Sequence, residues 1–442
     1  MPEAPPALRR ELGLRDLVLF NVAAVVGIRW LAAAAHAGPG SITLWVLAAA
    51  LFFVPSALAV SRLAAACPEE GGLYVWTRRS FGDWHGFLCG WCYWLSNVFY
   101  VPSLLLAGIA ISVYALGAGY AHLADDRMFV VSVSLMVLWT ALLTNLVGVR
   151  VGKWTENLGG LGTYAAGAVL VALGALTWWR HGPAAPIDPR PHWDWAKLNF
   201  WSQIAFAFGG LELGAMMGGE IRDPARTVPR AAWISGGAIT AFYILGTLAI
   251  LAVLPAESVN VMSGLAQAGA ASAARLGAPW IASLLAVLIA LGFTGQLGAW
   301  LAGAARVPFA VGLDRYLPAA FARLHPRWGT PHVAILTQGA ACTLFLLVMQ
   351  AGESLHAGYQ LLVDMTVITY FIPFVYLFAC AWKHRRRGSA ACGMAVTLAA
   401  IACSLAPTPE AGLAWVFEAK LVGGSALVVA AGRIWFRRGA RR

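Results

Sequence analysis

Charge is what this chain lacks. Of its 442 residues only 12% are Asp, Glu, Lys or Arg, whereas a soluble domain carries about a quarter. With 60% hydrophobic residues and a mean hydropathy of +0.70, too little polar surface exists to cover a fold in water. This excludes a set of soluble domains and makes lipid the solvent. Cysteine is sparse as well. The seven thiols are an odd number and most lie in apolar runs, which argues against a disulfide-stapled scaffold. Cys89 and Cys92 have redox-motif spacing, yet no strand precedes them and they read as small packing residues. No histidine pair has a metal-ligand spacing, no glycine loop suits a phosphate, and no nucleophile–base pair emerges. The sequence therefore predicts no enzyme, no cofactor and no metal.

What is present is apolar length. A hydrocarbon core needs roughly 20 apolar residues per helix. Intervals free of charge recur at 31–61, 84–124, 128–149, 157–179, 231–256, 276–305, 328–352 and 388–409, with shorter ones at 198–211, 365–382 and 421–432. Splitting the long intervals at Gly and Pro predicts an all-α membrane protein of twelve helices. The spans are 16–37, 41–66, 84–116, 127–148, 157–180, 198–219, 231–254, 279–306, 331–350, 359–382, 389–405 and 412–434. No small-residue cleavage site follows the charged leader, so no signal peptide is expected.

Basic residues give the orientation. With an even number of spans and both termini on one side, that side collects 24 of the 31 Lys and Arg, including Arg62, Arg78, Arg79, Arg222, Arg306, Lys383 and Arg437. The excess marks the cytoplasm, so both termini are expected there in a multi-pass cell-membrane protein. The net charge of +11 is thus a topology signal, and no nucleic-acid partner is expected. Histidines 36, 85, 122 and 181 fall near span ends and read as interfacial, and Trp84, Trp178, Trp179, Trp382 and Trp435 as an aromatic belt.

Breakers and charges at mid-membrane are the informative exceptions. The first span reads Val25-Val26-Gly27-Ile28-Arg29-Trp30, with Gly27 and Arg29 about halfway along; the sixth reads Phe206-Ala207-Phe208-Gly209-Gly210-Leu211-Glu212. Gly209 and Gly210 alone would serve close helix packing equally well. A matched glycine in the first span and an acid beside the pair favour a binding site at two broken helices. Such breaks free main-chain N–H and C=O groups for a zwitterion.

Three further segments carry a resemblance. Pro68-Glu69-Glu70-Gly71-Gly72-Leu73-Tyr74-Val75-Trp76, Glu220-Ile221-Arg222-Asp223-Pro224-Ala225-Arg226-Thr227-Val228-Pro229-Arg230-Ala231, and Asp314-Arg315-Tyr316-Leu317-Pro318 followed by Gly329-Thr330-Pro331 span most of the chain. Together they resemble loops of the amino acid–polyamine–organocation superfamily. The resemblance implies a leucine-transporter-type fold: a 5+5 inverted repeat with helices 1 and 6 discontinuous, then two more helices. On that plan residues 1–15 are a leader, 16–180 the first repeat, 181–197 an outer loop, 198–382 the second repeat, and 383–442 two helices with a basic tail. It also implies alternating access and a small amino acid or amine as substrate. By position, Val26, Gly27 and Ile28 would receive the substrate carboxylate, and Phe208, Gly209 and Gly210 would face its ammonium. Phe206 would be an aromatic lid, Glu212 a gating or proton-sensing acid, and Trp300, Thr366 and Tyr93 pocket residues. The stretch 255–278 resembles an outer gate helix.

Departures from that pattern shape the expectation. Val25 and Val26 stand where relatives carry Gly and Ser. The fifth span offers Gly162-Thr163-Tyr164 and lacks the lysine that proton-coupled relatives often use, which disfavours lysine-based proton coupling; Thr163 leaves sodium open. Arg29 is the unusual residue. It pairs with Glu212, pairs with Asp364, presents its fork to an anionic substrate, or snorkels outward; a fixed structural ion pair is the competing account. The reading is a secondary amino acid transporter, leaning to an exchanger or facilitator of neutral or acidic amino acids. A proton- or sodium-coupled symporter is the alternative, and a membrane sensor, which would need an output domain, the third. The substrate and the bilayer are the expected partners; the sequence does not set an oligomeric state.

Overall fold

The computed structural model describes residues 11–67, 71–191, 198–216, 220–261, 263–314, 316–350, 355–383, 387–406 and 414–439. Pro68, Glu69 and Glu70 of the first loop motif, Arg315 of the third, residues 192–197 of the outer loop, the end of the sixth span at 217–219, and most of the leader lie outside the described residues. Helices dominate, and among the described residues β pairing is confined to one parallel bridge between Leu12 and Ile221.

The first span is two helices, α1 (Leu14–Val25) and α2 (Arg29–Ala37), bent by 46° where they meet. The second runs as α3 (Ser41–Ala48), a π turn over Ala49–Phe53, and α4 (Val54–Ala66). A short helix missed by the sequence reading follows, α5 (Leu73–Phe81), too brief and too basic at Arg78 and Arg79 to register as a span. Then come α6 (Asp83–Ser112), α7 (Arg127–Val147) and α8 (Val149–His181). Next are α9 (Leu198–Phe206), α10 (Leu211–Met216), α11 (Pro224–Val253), α12 (Gly264–Arg275) and α13 (Trp280–Leu313). The last four are α14 (His332–Gln350), α15 (Leu355–Lys383), α16 (Arg387–Ser404) and α17 (Ala414–Gly439).

Among the described residues eight stretches are long and apolar enough to cross a bilayer, and the bent α1–α2 pair makes a ninth. The other three spans read from the sequence are helical but outside that set: α9 and α10 are brief, α14 counts as a shorter apolar helix over His332–Val348, and α17 carries charge at both ends. This is a multi-pass membrane architecture. α6 and α15 are its most buried long helices, whereas α7 and α16 leave most of their surface to lipid. α8 and α13 cross closely because Gly159 and Gly162 on one face Gly292 and Gly295 on the other; a side chain at Gly159 would run into the backbone of Gly295. Cys89 and Cys92 are free thiols inside α6.

Polar links join the segments on the basic side. The N–H groups of Glu11 and Leu12 donate to the Glu220 carbonyl at 2.9 and 3.0 Å, and Arg222 N–H to the Leu12 carbonyl at 2.9 Å. Tyr74 and Arg78 of α5 both reach the Asp314 carboxylate. Burial and the Asp314 carboxylate hold the Tyr74 phenol well above its ordinary range, so it stays a donor. Arg306 corrects a sequence expectation. The charge pattern puts it at the end of the eighth span, among loop cations, but α13 continues to Leu313 and encloses it at 1% exposure. Its Nε and Nη2 donate to Glu220 Oε1 at 3.2 and 2.8 Å, and its Nη1 to the Ala302 carbonyl at 2.6 Å. A charge-based boundary stops at any arginine, paired or not.

Candidate functional site

A helix that stops inside lipid leaves its last carbonyls without intrahelical partners. α1 stops at Val25, and three successive carbonyls there are taken up by side chains from other helices. Trp300 Nε1 on α13 donates to Ala24 O at 2.7 Å, Tyr243 on α11 to Val25 O at 2.7 Å, and Gln296 Nε2 on α13 to Val26 O at 3.0 Å. Gly27 N–H donates back to the Tyr243 hydroxyl at 3.2 Å. A Cβ at Gly27 would collide with the indole of Trp30, which folds back over the break.

The second interruption lies against the first. α9 ends at Phe206, Phe208 and Gly209 donate to the carbonyls of Ala205 and Phe206, and α10 starts at Leu211. Gly210 has φ +112°, a left-handed conformation that glycine alone adopts readily, and a methyl there would press on the Ala24 carbonyl. The Ala207 carbonyl lies 2.8 Å from the same Tyr243 hydroxyl. One phenol thus joins both breaks. It is fixed by Trp45, which stacks on it at 4.3 Å and anchors its own Nε1 to Thr247 at 2.9 Å.

Phe206 and Phe208 point apart. The Phe206 ring meets Trp30, Tyr100 and Tyr370 at centroid distances of 5.4, 5.9 and 4.9 Å, while Phe208 packs on Trp45, Phe53 and Tyr243. Trp300 closes the first group, 4.5 Å from Tyr100 and 6.0 Å from Tyr370.

Glu212 sits beside this cluster and takes only donors. Tyr93 and Tyr370 give their hydroxyls to Oε1 at 2.8 and 2.6 Å, and Gly210 N–H reaches Oε2 at 3.1 Å. The acid therefore ties the second break to α6 and α15. Val26, Gly27, Phe206, Gly209, Gly210, Glu212, Tyr93 and Trp300 thus converge, and Ile28, buried, caps α2. Thr366 does not join them in polar contact: its hydroxyl donates to Leu362 O of its own helix at 2.6 Å. Asp364 stands in a separate amide network, accepting from Asn199 at 3.3 Å and from Gln360 at 3.1 Å.

Neither ion pair proposed for Arg29 forms among the described residues. Arg29 as a whole is 3% exposed, which also excludes snorkelling. Its Nη1 donates to Ser103 at 3.0 Å, and its guanidinium carbon lies 4.3, 4.8 and 5.7 Å from the ring centroids of Trp30, Tyr100 and Tyr359. Aromatic faces take the place of a counterion.

The sequence reading missed Tyr243, Gln296 and Tyr370. Gln296 carried a legible signal, as the single amide in the charge-free run 276–305. Tyr243 and Tyr370 looked like ordinary apolar-run tyrosines.

Comparisons with known proteins supply the family and the fold. The chain is 31% identical over 382 residues to an uncharacterized transporter of Legionella pneumophila, covering 85% of this chain and 82% of that one. It is 24% identical to the serine/threonine exchanger SteT of Bacillus subtilis, covering 86% and 84%. The crystal structure of MhsT in complex with L-phenylalanine superimposes with a TM-score of 0.64 at 13% identity, over 97% of this chain and all of that one, a likeness of fold. The sequence profile of the amino acid permeases matches residues 12–407, so the chain belongs to the amino acid permease family, within the amino acid–polyamine–organocation superfamily.

Proposed function

We propose that this permease is a secondary transporter that carries amino acids across the cell membrane by alternating access, with both termini in the cytoplasm. The α1–α2 and α9–α10 pairs are the discontinuous helices of a 5+5 inverted repeat formed by residues 16–180 and 198–382, and residues 383–442 add two helices. The observation that carries the reading is the contact of the two breaks through Tyr243. The start of α2 supplies main-chain N–H groups and a positive dipole end for the substrate carboxylate at Val26, Gly27 and Ile28. The end of α9 supplies carbonyls for the ammonium at Phe208, Gly209 and Gly210. Phe206 is the lid, and Tyr93, Trp300 and Thr366 border the side chain. Arg29, Glu212 and Asp364 respond as α1 and α9 rock.

Exchange or facilitated passage of neutral or acidic amino acids is the mode favoured by a fifth span without a lysine. The name of the serine/threonine exchanger relative supports it. Glu212, a buried acid held by two phenols, supports proton coupling as the second reading. Uptake into proteoliposomes separates them. Uptake that demands internal amino acid supports exchange, uptake driven by a pH or sodium gradient into empty vesicles supports symport, and no uptake of any amino acid overturns transport.

A further inference from the structure

Two buried arginines in this chain are held in the same way except at one edge. Arg306 spends Nη1 on a neutral acceptor, the Ala302 carbonyl, and turns its Nε and Nη2 edge to the Glu220 carboxylate. Arg29 also spends Nη1 on a neutral acceptor, Ser103, but its Nε and Nη2 are buried with no hydrogen-bond partner among the described residues. That edge is the one a guanidinium uses to grip a carboxylate with two parallel hydrogen bonds. Trp30, Tyr100 and Tyr359 are 1–4% exposed, and their rings hold the cation and limit water around it.

The position fits a substrate with a second acidic group. Arg29 opens α2 directly after Val26, Gly27 and Ile28, the segment assigned above to the α-carboxylate. Two of its three rings, Trp30 and Tyr100, also touch Phe206. Phe206, the proposed lid, thus lies against the rings that hold the guanidinium.

We infer that Arg29 receives the side-chain carboxylate of the substrate, so that this permease prefers acidic amino acids to their amides. The inference rests on the transporter reading above and names its substrate class. An inorganic anion such as chloride would satisfy the same fork, and the test separates the two.

The experiment is counterflow in proteoliposomes, with L-aspartate and L-glutamate compared against L-asparagine and L-glutamine. Wild type should favour each acid over its amide. Arg29→Gln should lower kcat/KM for the acids by about ten- to a hundredfold, the range for hydrogen bonds to a charged group, and affect the amides much less. Arg29→Lys, with a charge but no fork, should fall between. Should Arg29→Gln not fold, the wild-type acid-to-amide ratio and its fall in Ser103→Ala still decide the matter. A wild type that prefers amides, equal losses for acids and amides, or an Arg29-dependent affinity that vanishes when chloride is replaced by gluconate would each overturn the inference while leaving the transporter reading intact. A wild type that moves no amino acid sinks both.

Discussion

Tyr243 holds Val25: its hydroxyl lies 2.7 Å from the Val25 carbonyl at the point where α1 stops, and the same oxygen lies 2.8 Å from the Ala207 carbonyl where α9 gives way. Residues far apart in the chain, on two interrupted helices, thus depend on one side chain of a third. The arrangement answers a problem set by lipid, where an unpaired carbonyl finds no water.

Tyr243→Phe should lower stability by about 1–3 kcal/mol, because it strands buried main-chain groups and replaces them with nothing. The thermal unfolding midpoint in detergent measures this, with helical content by circular dichroism expected to stay unchanged. Transport should slow as well, since both breaks lose their common tie.

Glu212→Gln should cut transport at least tenfold, or about 1.4 kcal/mol in barrier, in a protein that still folds. Glutamine offers one acceptor oxygen where Tyr93, Tyr370 and Gly210 present three donors, and it turns its own N–H groups toward one of them. Uptake rates normalised to folded protein give the comparison, and an unchanged rate would remove Glu212 from the working site.

The Arg306–Glu220 pair should behave as a coupled unit. Arg306→Gln or Glu220→Gln alone should cost about 3–5 kcal/mol, because each leaves a buried charge without its partner. Combining Arg306→Met with Glu220→Leu should recover most of that loss. Additive losses in the double variant would show that the two side chains act independently.

Alkaline pH should loosen the basic side. Burial, then the hydrogen bond to Asp83, pushes the Tyr316 phenol up to about 12 from an ordinary 10. The folded state therefore keeps this proton at pH values where the unfolded chain has released it. The stability it contributes is fully present below pH 10 and is lost as pH rises from 10 toward 12. Unfolding midpoints across that window, compared with Tyr316→Phe, isolate the contribution; identical pH profiles would disprove it.

The sequence made the helices and the weak points legible for the same reason. Lipid punishes charge and backbone exposure, so Gly27, Arg29, Gly209 and Glu212 stood out against apolar runs. Partner choice was not legible. Nothing local tells that Glu212 chooses Tyr93 and Tyr370, that Arg29 rests on rings, or that Asp364 meets Asn199, because these contacts bring together helices distant in sequence. Arg306 misled for a related reason: a charge hidden by its partner counts as exposed when only the chain order is read. Thr366 resembled a pocket residue by position, yet its hydroxyl serves its own helix.

The row of carbonyls at Ala24, Val25 and Val26 has a consequence for any guest that binds there. An indole, a phenol and an amide already engage those oxygens. An amine arriving there would have to take over bonds that exist and would gain only the difference between two satisfied arrangements, which is consistent with the proposed placing of the ammonium at the α9 break instead. The stump of α1 is thereby held as a finished end in lipid, and a guest is steered to whichever main-chain groups no side chain has already claimed.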